Sequence, residues 1–308
     1  MKKLMIPFLL LFVLIISACS NSSTETGSKE GPKSTDSSET ITYESENGPI
    51  EVPANPQRVV VLSSFNAGSV MALDVNIVGV DTWAKGNPRY EPYLKDAVEV
   101  TDESLEKIIE LDPDLIIAAP SNNNLDKLAS IAPTVTFTYG AFDYLTQHIE
   151  IGKLLNKEEE AKTWVDSFKQ RAHDAGEEVK AKIGDDATVT VIENFDKQLY
   201  VFGDNWGRGT EILYQEMKLA MPEKVKEMAL KEGYYALSLE VLPEYAGDFI
   251  ILSSDGVDIS FQETETYKNI PAVQNNHVFT ANSAEFFFND PITLDFQLEF
   301  FKNSFLGN

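Results

Sequence analysis

Ser104-Leu-Glu-Lys-Ile-Ile-Glu-Leu-Asp-Pro-Asp-Leu-Ile-Ile117 returns later in the chain as Ser238-Leu-Glu-Val-Leu-Pro-Glu-Tyr-Ala-Gly-Asp-Phe-Ile-Ile251. The two stretches align without a gap at a constant offset of 134, with seven identities in 14 positions. Each reads Ser-Leu-Glu, then a second Glu four residues after the first, an Asp eight after it, and an apolar run. That pattern predicts a short helix capped by Ser, with Glu106 or Glu240 in its first turn, feeding a buried strand. One unit used twice predicts two lobes, with Glu106 and Glu240 at equivalent points.

The sequence on either side fits α/β lobes. Arg58–Ser63, Ile77–Val80, Leu115–Ala118 and Val135–Thr138 are short, β-branched apolar runs, as expected for buried parallel strands. Ala67–Leu73 and Leu125–Ile131 read as helices between them. The second half repeats the alternation, with strands at Thr188–Glu193, Leu199–Phe202, Phe249–Leu252 and His277–Thr280 and helices at Thr210–Met217 and Leu294–Phe305. Between the halves, Asp143–Leu155 and Lys157–Ile183 read as helices. Ala161, Trp164, Val165, Phe168, Ala172 and Val179 form one apolar stripe. Glu158, Glu159 and Glu160 suit the positive end of a helix dipole, whereas Gly176 weakens the interior. Twenty-seven helical residues span roughly 40 Å, enough to bridge two lobes; the alternative is a surface helix on one large domain. The expected fold is α/β, two lobes with parallel-type sheets joined by one long helix: 41–156, 157–183 and 184–308.

The 308 residues carry 49 acidic and 25 basic side chains, a net charge of −24. No nucleic-acid partner is expected of such a surface. One Cys and three His exclude a disulfide framework and Cys-rich metal sites. Lys2 and Lys3 precede a 13-residue apolar run, Leu4 to Ile16, and then Ser17-Ala18-Cys19. That is a secretory signal over 1–18, and Ile16-Ser17-Ala18-Cys19 resembles the lipobox of bacterial lipoproteins. The resemblance implies a diacylated, palmitate-type Cys19 at the extracellular face of the cell membrane. Removal of 1–18 takes away two Lys and no acid, deepening the charge to −26. Ser20–Thr40 contains no apolar residue; 19–40 is expected to be a flexible tether.

A two-lobed α/β protein binds ligand between its lobes. The most unusual loop is Phe202-Gly-Asp-Asn-Trp-Gly-Arg-Gly-Thr210. Its three glycines permit sharp bends, presenting Trp206 as a flat apolar face and Arg208 as a fork of donors. The bland alternative is that Trp206 packs locally and Arg208 pairs with an acid. Tyr200, Tyr139, Trp83 and one of Phe286, Phe287 and Phe288, with Phe287 preferred, complete an expected aromatic cleft. Lys85, Arg89 and Lys197 are possible basic neighbours. His148, His173 and His277 lack ligand spacing, so no protein-bound metal or cofactor is expected. No Gly-x-Ser-x-Gly elbow is present, and a secreted hydrolase is the remote enzymatic alternative.

Pro56-Gln-Arg-Val-Val-Val-Leu62, Leu105-Glu-Lys-Ile108 with Pro113-Asp-Leu-Ile-Ile117, and Lys268-Asn-Ile-Pro-Ala-Val273 with Val278-Phe279 resemble motifs of the iron-siderophore substrate-binding proteins of ABC importers. The resemblance runs from about Ile41 to Asn308 and implies a class III periplasmic-binding-protein-like fold. Phe202–Gly209 is similar to the hydroxamate-siderophore binders of Gram-positive bacteria, the ferrichrome/ferrioxamine group. This implies a monomeric, non-enzymatic binder of ferric hydroxamates, with iron held by the siderophore. It also implies that Glu106 and Glu240 dock onto Arg residues of two permease subunits. A ferric catecholate, haem or cobalamin remains an alternative ligand.

Overall fold

The structure, a computed structural model, describes residues 39–257 and 259–307. The expected signal, Cys19 and most of the tether lie outside these residues. Chain order begins with an unanticipated antiparallel hairpin, β1 (Thr40–Ser45) and β2 (Gly48–Pro53). Tyr43 and Val52 are buried, while the Thr40 and Thr42 hydroxyls donate to Glu51 on the exposed side. Thr40, expected at the end of the tether, already belongs to this pairing.

The first sheet contains β3 (Val59–Val61), β4 (Ile77–Val80), β5 (Val98–Glu99), β6 (Leu115–Ala118) and β7 (Thr134–Thr136). It is parallel throughout, in the order β5-β4-β3-β6-β7. Successive strand residues face opposite sides. Val59 and Val61 join a core with Ala67 and Val70 of helix α1 (Ser64–Ala72). Val60 faces the other core, with Ile108 of α2 (Leu105–Glu110) and Leu128. Covering both faces is what the uninterrupted valine run requires.

The second sheet contains β8 (Val189–Phe195), β9 (Gln198–Phe202), β10 (Tyr234–Leu237), β11 (Phe249–Ser254) and β12 (Val278–Asn282), in the order β10-β9-β8-β11-β12. β8, β11 and β12 are parallel, but β9 runs antiparallel to both of its neighbours, β8 and β10. The reason is the two-residue link between β8 and β9. Asp196 and Lys197 have φ of 48° and 65°, a tight hairpin turn, whereas a parallel crossover needs about a dozen residues or more.

Helix α3 (Tyr144–Leu154) leads into α4 (Glu158–Ile183). The 26 residues of α4 extend about 39 Å. Its Ala161 lies in the first lobe's core, whereas Val165, Phe168, Ala172, Ala175 and Val179 lie in the second lobe's. Trp164 is half-buried and stacks on Phe168 at 4.9 Å. Gly176 is a close approach rather than a weak point, since a Cβ there would lie 2.3 Å from the Met217 carbonyl oxygen.

The C-terminal helix α5 (Pro291–Leu306) makes a second link. Phe288 and Ile292 pack into the first lobe's core, while Leu294, Leu298, Phe301 and Phe305 pack into the second's. Asp290 caps α5 and accepts a hydrogen bond from the buried Tyr90 hydroxyl of the first lobe. Although 184–308 was expected to form one lobe, its last segment is shared.

Candidate functional site

β3 and β6 flank the point where the strand order of the first sheet reverses, the usual place for a ligand crevice. A cavity of about 1370 Å³ opens there. Leu62–Phe65 after β3, Ala119 and Asn122 after β6, and Phe137–Gly140 after β7 line one side. Asp204, Asn205 and Trp206 after β9, with Glu211 and Asn289, line the other.

An almost continuous run of rings crosses this cleft. Trp83 lies 4.9 Å from Phe287, and Phe287 lies 6.3 Å from Phe65. Phe65 lies 4.7 Å from Tyr139, which meets Trp206 edge-on at 5.9 Å. Trp206 continues to Tyr234 at 5.1 Å, and Tyr234 to Tyr200 at 6.0 Å. The five expected aromatic residues therefore belong to one cluster, which Arg208 joins over the Phe287 ring at 4.2 Å, but only Tyr139 and Trp206 of the six line the cavity itself. Tyr200 reaches Trp206 through Tyr234, and Trp83 reaches Tyr139 through Phe287 and Phe65. Trp83 is 56% exposed, its position set by the Asp81 carboxylate, which accepts from the Trp83 N–H at 2.9 Å. The sequence reading missed Phe65 and Tyr234; Phe65, four residues beyond β3, lay where strand-end loops are searched.

The three consecutive Phe separate cleanly. Phe286 packs on Phe296, Phe300 and Phe301 of α5. Phe288 stacks on Tyr90 at 5.7 Å. Phe287 alone is half-buried, among Phe65, Trp83 and Arg208.

Arg208 is not a free fork. It is 7% exposed and sits between the rings of Phe202 at 4.9 Å and Phe287 at 4.2 Å. Its Nε and Nη2 donate to Glu193 Oε2 at 3.1 and 2.9 Å, and Nη1 donates to the Trp206 carbonyl at 3.2 Å. The alternative pairing with an acid is thus realised, inside the aromatic cluster. Gly207 and Gly209 make the loop possible: their φ values are 69° and 80°, and Cβ atoms there would strike the Phe287 carbonyl and the Phe301 ring.

Titratable groups at the site are shifted mainly by burial. Glu211 is pushed up by desolvation, opposed by hydrogen bonds from Gly207 N–H and Asn289 Nδ2, both at 2.9 Å. Desolvation likewise raises Asp290, against hydrogen bonds from Tyr90 and Thr293. Half of Tyr139 is accessible, yet partial desolvation and then Glu211 push its phenol up to about 12, against the pull of Arg208.

The basic neighbours lie elsewhere than expected. Lys85 donates to the carbonyls of Leu94 and Ala97. Arg89 pairs with Glu285 and covers Phe296. Lys197 occupies the β8–β9 turn. Lys169 and Lys218 line the cavity instead, with His173; only the exposed face of α4 brings Lys169 and His173 there. His148 is buried on α3, and His277 precedes β12 with Nδ1 3.1 Å from the Asp248 carbonyl. Among the described residues no group of three or more His, Cys, Asp or Glu could hold a metal ion.

Glu106 and Glu240 are both exposed in the first turns of their short helices. Neither preceding Ser caps its helix with its side chain, as the repeat predicted. The Ser104 hydroxyl instead accepts from the Thr101 N–H at 3.1 Å, and the Ser238 hydroxyl bonds Glu240 and lowers the pKa of that carboxyl.

Two α/β lobes, a long connecting helix and an aromatic cleft between them define the class of extracytoplasmic substrate-binding proteins, which capture ligands and catalyse nothing. The chain belongs to the periplasmic binding protein family, whose model matches residues 59–285. It is 36% identical over 304 residues to the iron(3+)-hydroxamate-binding protein FhuD of Bacillus subtilis, covering 96% of this chain and 95% of that one. The FhuD protein from S. pseudintermedius superposes with a TM-score of 0.78 at 36% identity, over 88% of this chain and 99% of that chain. FhuD2 from Staphylococcus aureus with bound ferrioxamine B gives 0.78 at 33% identity, over 82% and 99%.

Proposed function

We propose that this protein captures ferric hydroxamate siderophores of the ferrichrome/ferrioxamine type in the inter-lobe cleft and delivers them to an ABC permease. The observation that carries the reading is the ring cluster from Trp83 to Tyr200 with Arg208 held inside it. A ferric tris-hydroxamate is neutral or weakly cationic, with an apolar shell around oxygen-ligated iron. Aromatic walls bury such a shell, and an Arg donates to hydroxamate oxygens. The cavity is also lined by Asp143, Asp166, Asp204 and Glu216 against Lys169 and Lys218, which disfavours a strongly anionic tris-catecholate. Two relatives are named for hydroxamate binding, and one similar structure holds ferrioxamine B.

In this reading Trp206, Arg208, Tyr200, Tyr139, Trp83 and Phe287 serve the ligand, while Glu106 and Glu240 meet the permease. Cleavage after residue 18 and lipidation of Cys19 hold a monomer on the outer face of the cell membrane, the lobes being 41–156 and 184–308 about the 157–183 connection. No helix among the described residues is long and apolar enough to cross a membrane. The test is a tryptophan-fluorescence titration with ferrioxamine B, ferrichrome, a ferric catecholate and cobalamin. Saturable quenching at sub-micromolar hydroxamate, with weak response to the others, is expected. Tighter binding of catecholate or cobalamin overturns the ligand assignment.

A further inference from the structure

We infer that Glu193 is a positioning residue of the cleft, holding Arg208 in place and cancelling its charge so that the site selects weakly charged over anionic ferric chelates. The inference rests on the function proposed above. Glu193 is 2% exposed near the end of β8. Its Oε2 accepts both Nε and Nη2 of Arg208, at 3.1 and 2.9 Å. Its Oε1 accepts from the Ser253 hydroxyl at 2.9 Å, and Ser253 is its register partner on β11. The carboxylate is thus fixed to two central strands while it grips a side chain from a loop.

That loop needs a grip. Arg208 has a φ of 56° between two glycines that also have positive φ, a segment with much conformational freedom to lose. Glu193 and the Phe202 and Phe287 rings remove that freedom before any ligand arrives, which lowers the cost of binding. Three of the five guanidinium N–H groups are engaged, by Glu193 and the Trp206 carbonyl. The other two have no acceptor among the described residues; Arg208 lies just behind the cavity lining, covered by the half-buried Phe287 ring, so a ligand that displaces that ring can offer them an oxygen without breaking the pair. The pair as a whole is neutral. Arg208 therefore offers directional donors and little net charge, which suits a neutral chelate and gives a trianionic one small advantage.

The experiment is a binding cycle of wild type, Glu193→Gln, Arg208→Gln and the double variant, titrated with ferrioxamine B and with an anionic ferric tris-catecholate, each variant first checked for a cooperative melt. Each single variant should bind ferrioxamine B tenfold or more weaker, and the double variant no worse than Arg208→Gln. Glu193→Gln, with its uncompensated guanidinium, should also shift preference toward the catecholate by tenfold or more. A purely structural role moves neither the non-additivity nor the preference. Unchanged ferrioxamine B affinity in folded Glu193→Gln, losses that multiply in the double variant, or no shift toward the catecholate overturns the inference. Should Glu193→Gln fail to fold, Ser253→Ala decides: several-fold weaker binding supports the role and unchanged binding overturns it. Wild type that binds no ferric hydroxamate sinks the proposed function and this inference with it, whereas wild-type binding with an indifferent Glu193 sinks the inference alone.

Discussion

The ring of Tyr139, carried by the first lobe, meets the ring of Trp206, carried by the second, edge to face at 5.9 Å between centroids and 82° between planes. Both line the cavity. The two lobes thus touch through the side chains that would clasp a ligand, and a ligand bound there alters the surroundings of Trp206 directly. Trp206→Ala is expected to weaken ferric hydroxamate binding about tenfold or more, ~1.4 kcal/mol or above, with little change in melting temperature because Trp206 is only half-buried. Titration of the variant by calorimetry checks this, and unchanged affinity removes Trp206 from the site.

Arg208→Ala behaves differently. The Arg208–Glu193 side chains are 9% and 3% exposed. Removing the cation strands a buried carboxylate, which costs about 3–5 kcal/mol. At about 2–4 °C per kcal/mol for a chain of this size, the melting temperature should fall by roughly 10 °C along with affinity. A calorimetric scan that matches wild type contradicts the buried pairing.

Glu106→Ala combined with Glu240→Ala should leave siderophore affinity unchanged and abolish uptake by whole cells. Both carboxylates are exposed on short helices and neither lines the cavity, so loss of binding by this variant, or normal iron uptake, argues against a docking role.

Acid should destabilise the fold through His148. Burial lowers its pKa from 6.5 to about 4, and among the described residues neither ring nitrogen has a hydrogen-bond partner. A depressed histidine keeps the folded state unprotonated while the unfolded chain takes up a proton below about pH 6.5. Its stabilising contribution is therefore whole above pH 6.5 and falls as pH drops toward 4, by about 3 kcal/mol at the lower limit. In His148→Phe the loss between pH 6.5 and 4 should be smaller by that amount, measured by urea unfolding at each pH. Identical pH profiles would remove His148 as the source.

Lobe movement should be small. α4 and α5 each contribute to both cores, and Tyr90 bonds Asp290 across the lobes. X-ray scattering with and without ferrioxamine B should give radii of gyration that agree within error. A large contraction on binding would show that these contacts yield.

Much of this was written in local sequence. The repeated Ser-Leu-Glu stretches, the valine run at 59–61 and the stripe along Glu158–Ile183 each depend on neighbours within a few turns, and period and composition suffice to read them. The glycine spacing around Trp206 and Arg208 likewise announced a loop built to present side chains. Tertiary structure alone decided the rest, because it depends on contacts between residues far apart in the chain. Nothing near Phe287 distinguishes it from Phe286 and Phe288; the packing of α5 and Tyr90 on its two neighbours does. Nothing near Arg208 marks Glu193, 15 residues away, as its partner among 49 acids. The antiparallel edge of the second sheet, the α5 link between lobes and the replacement of Lys85 and Arg89 by Lys169 and Lys218 at the cavity are of the same kind. Each is a choice among chemically equivalent residues, and only the three-dimensional packing makes it.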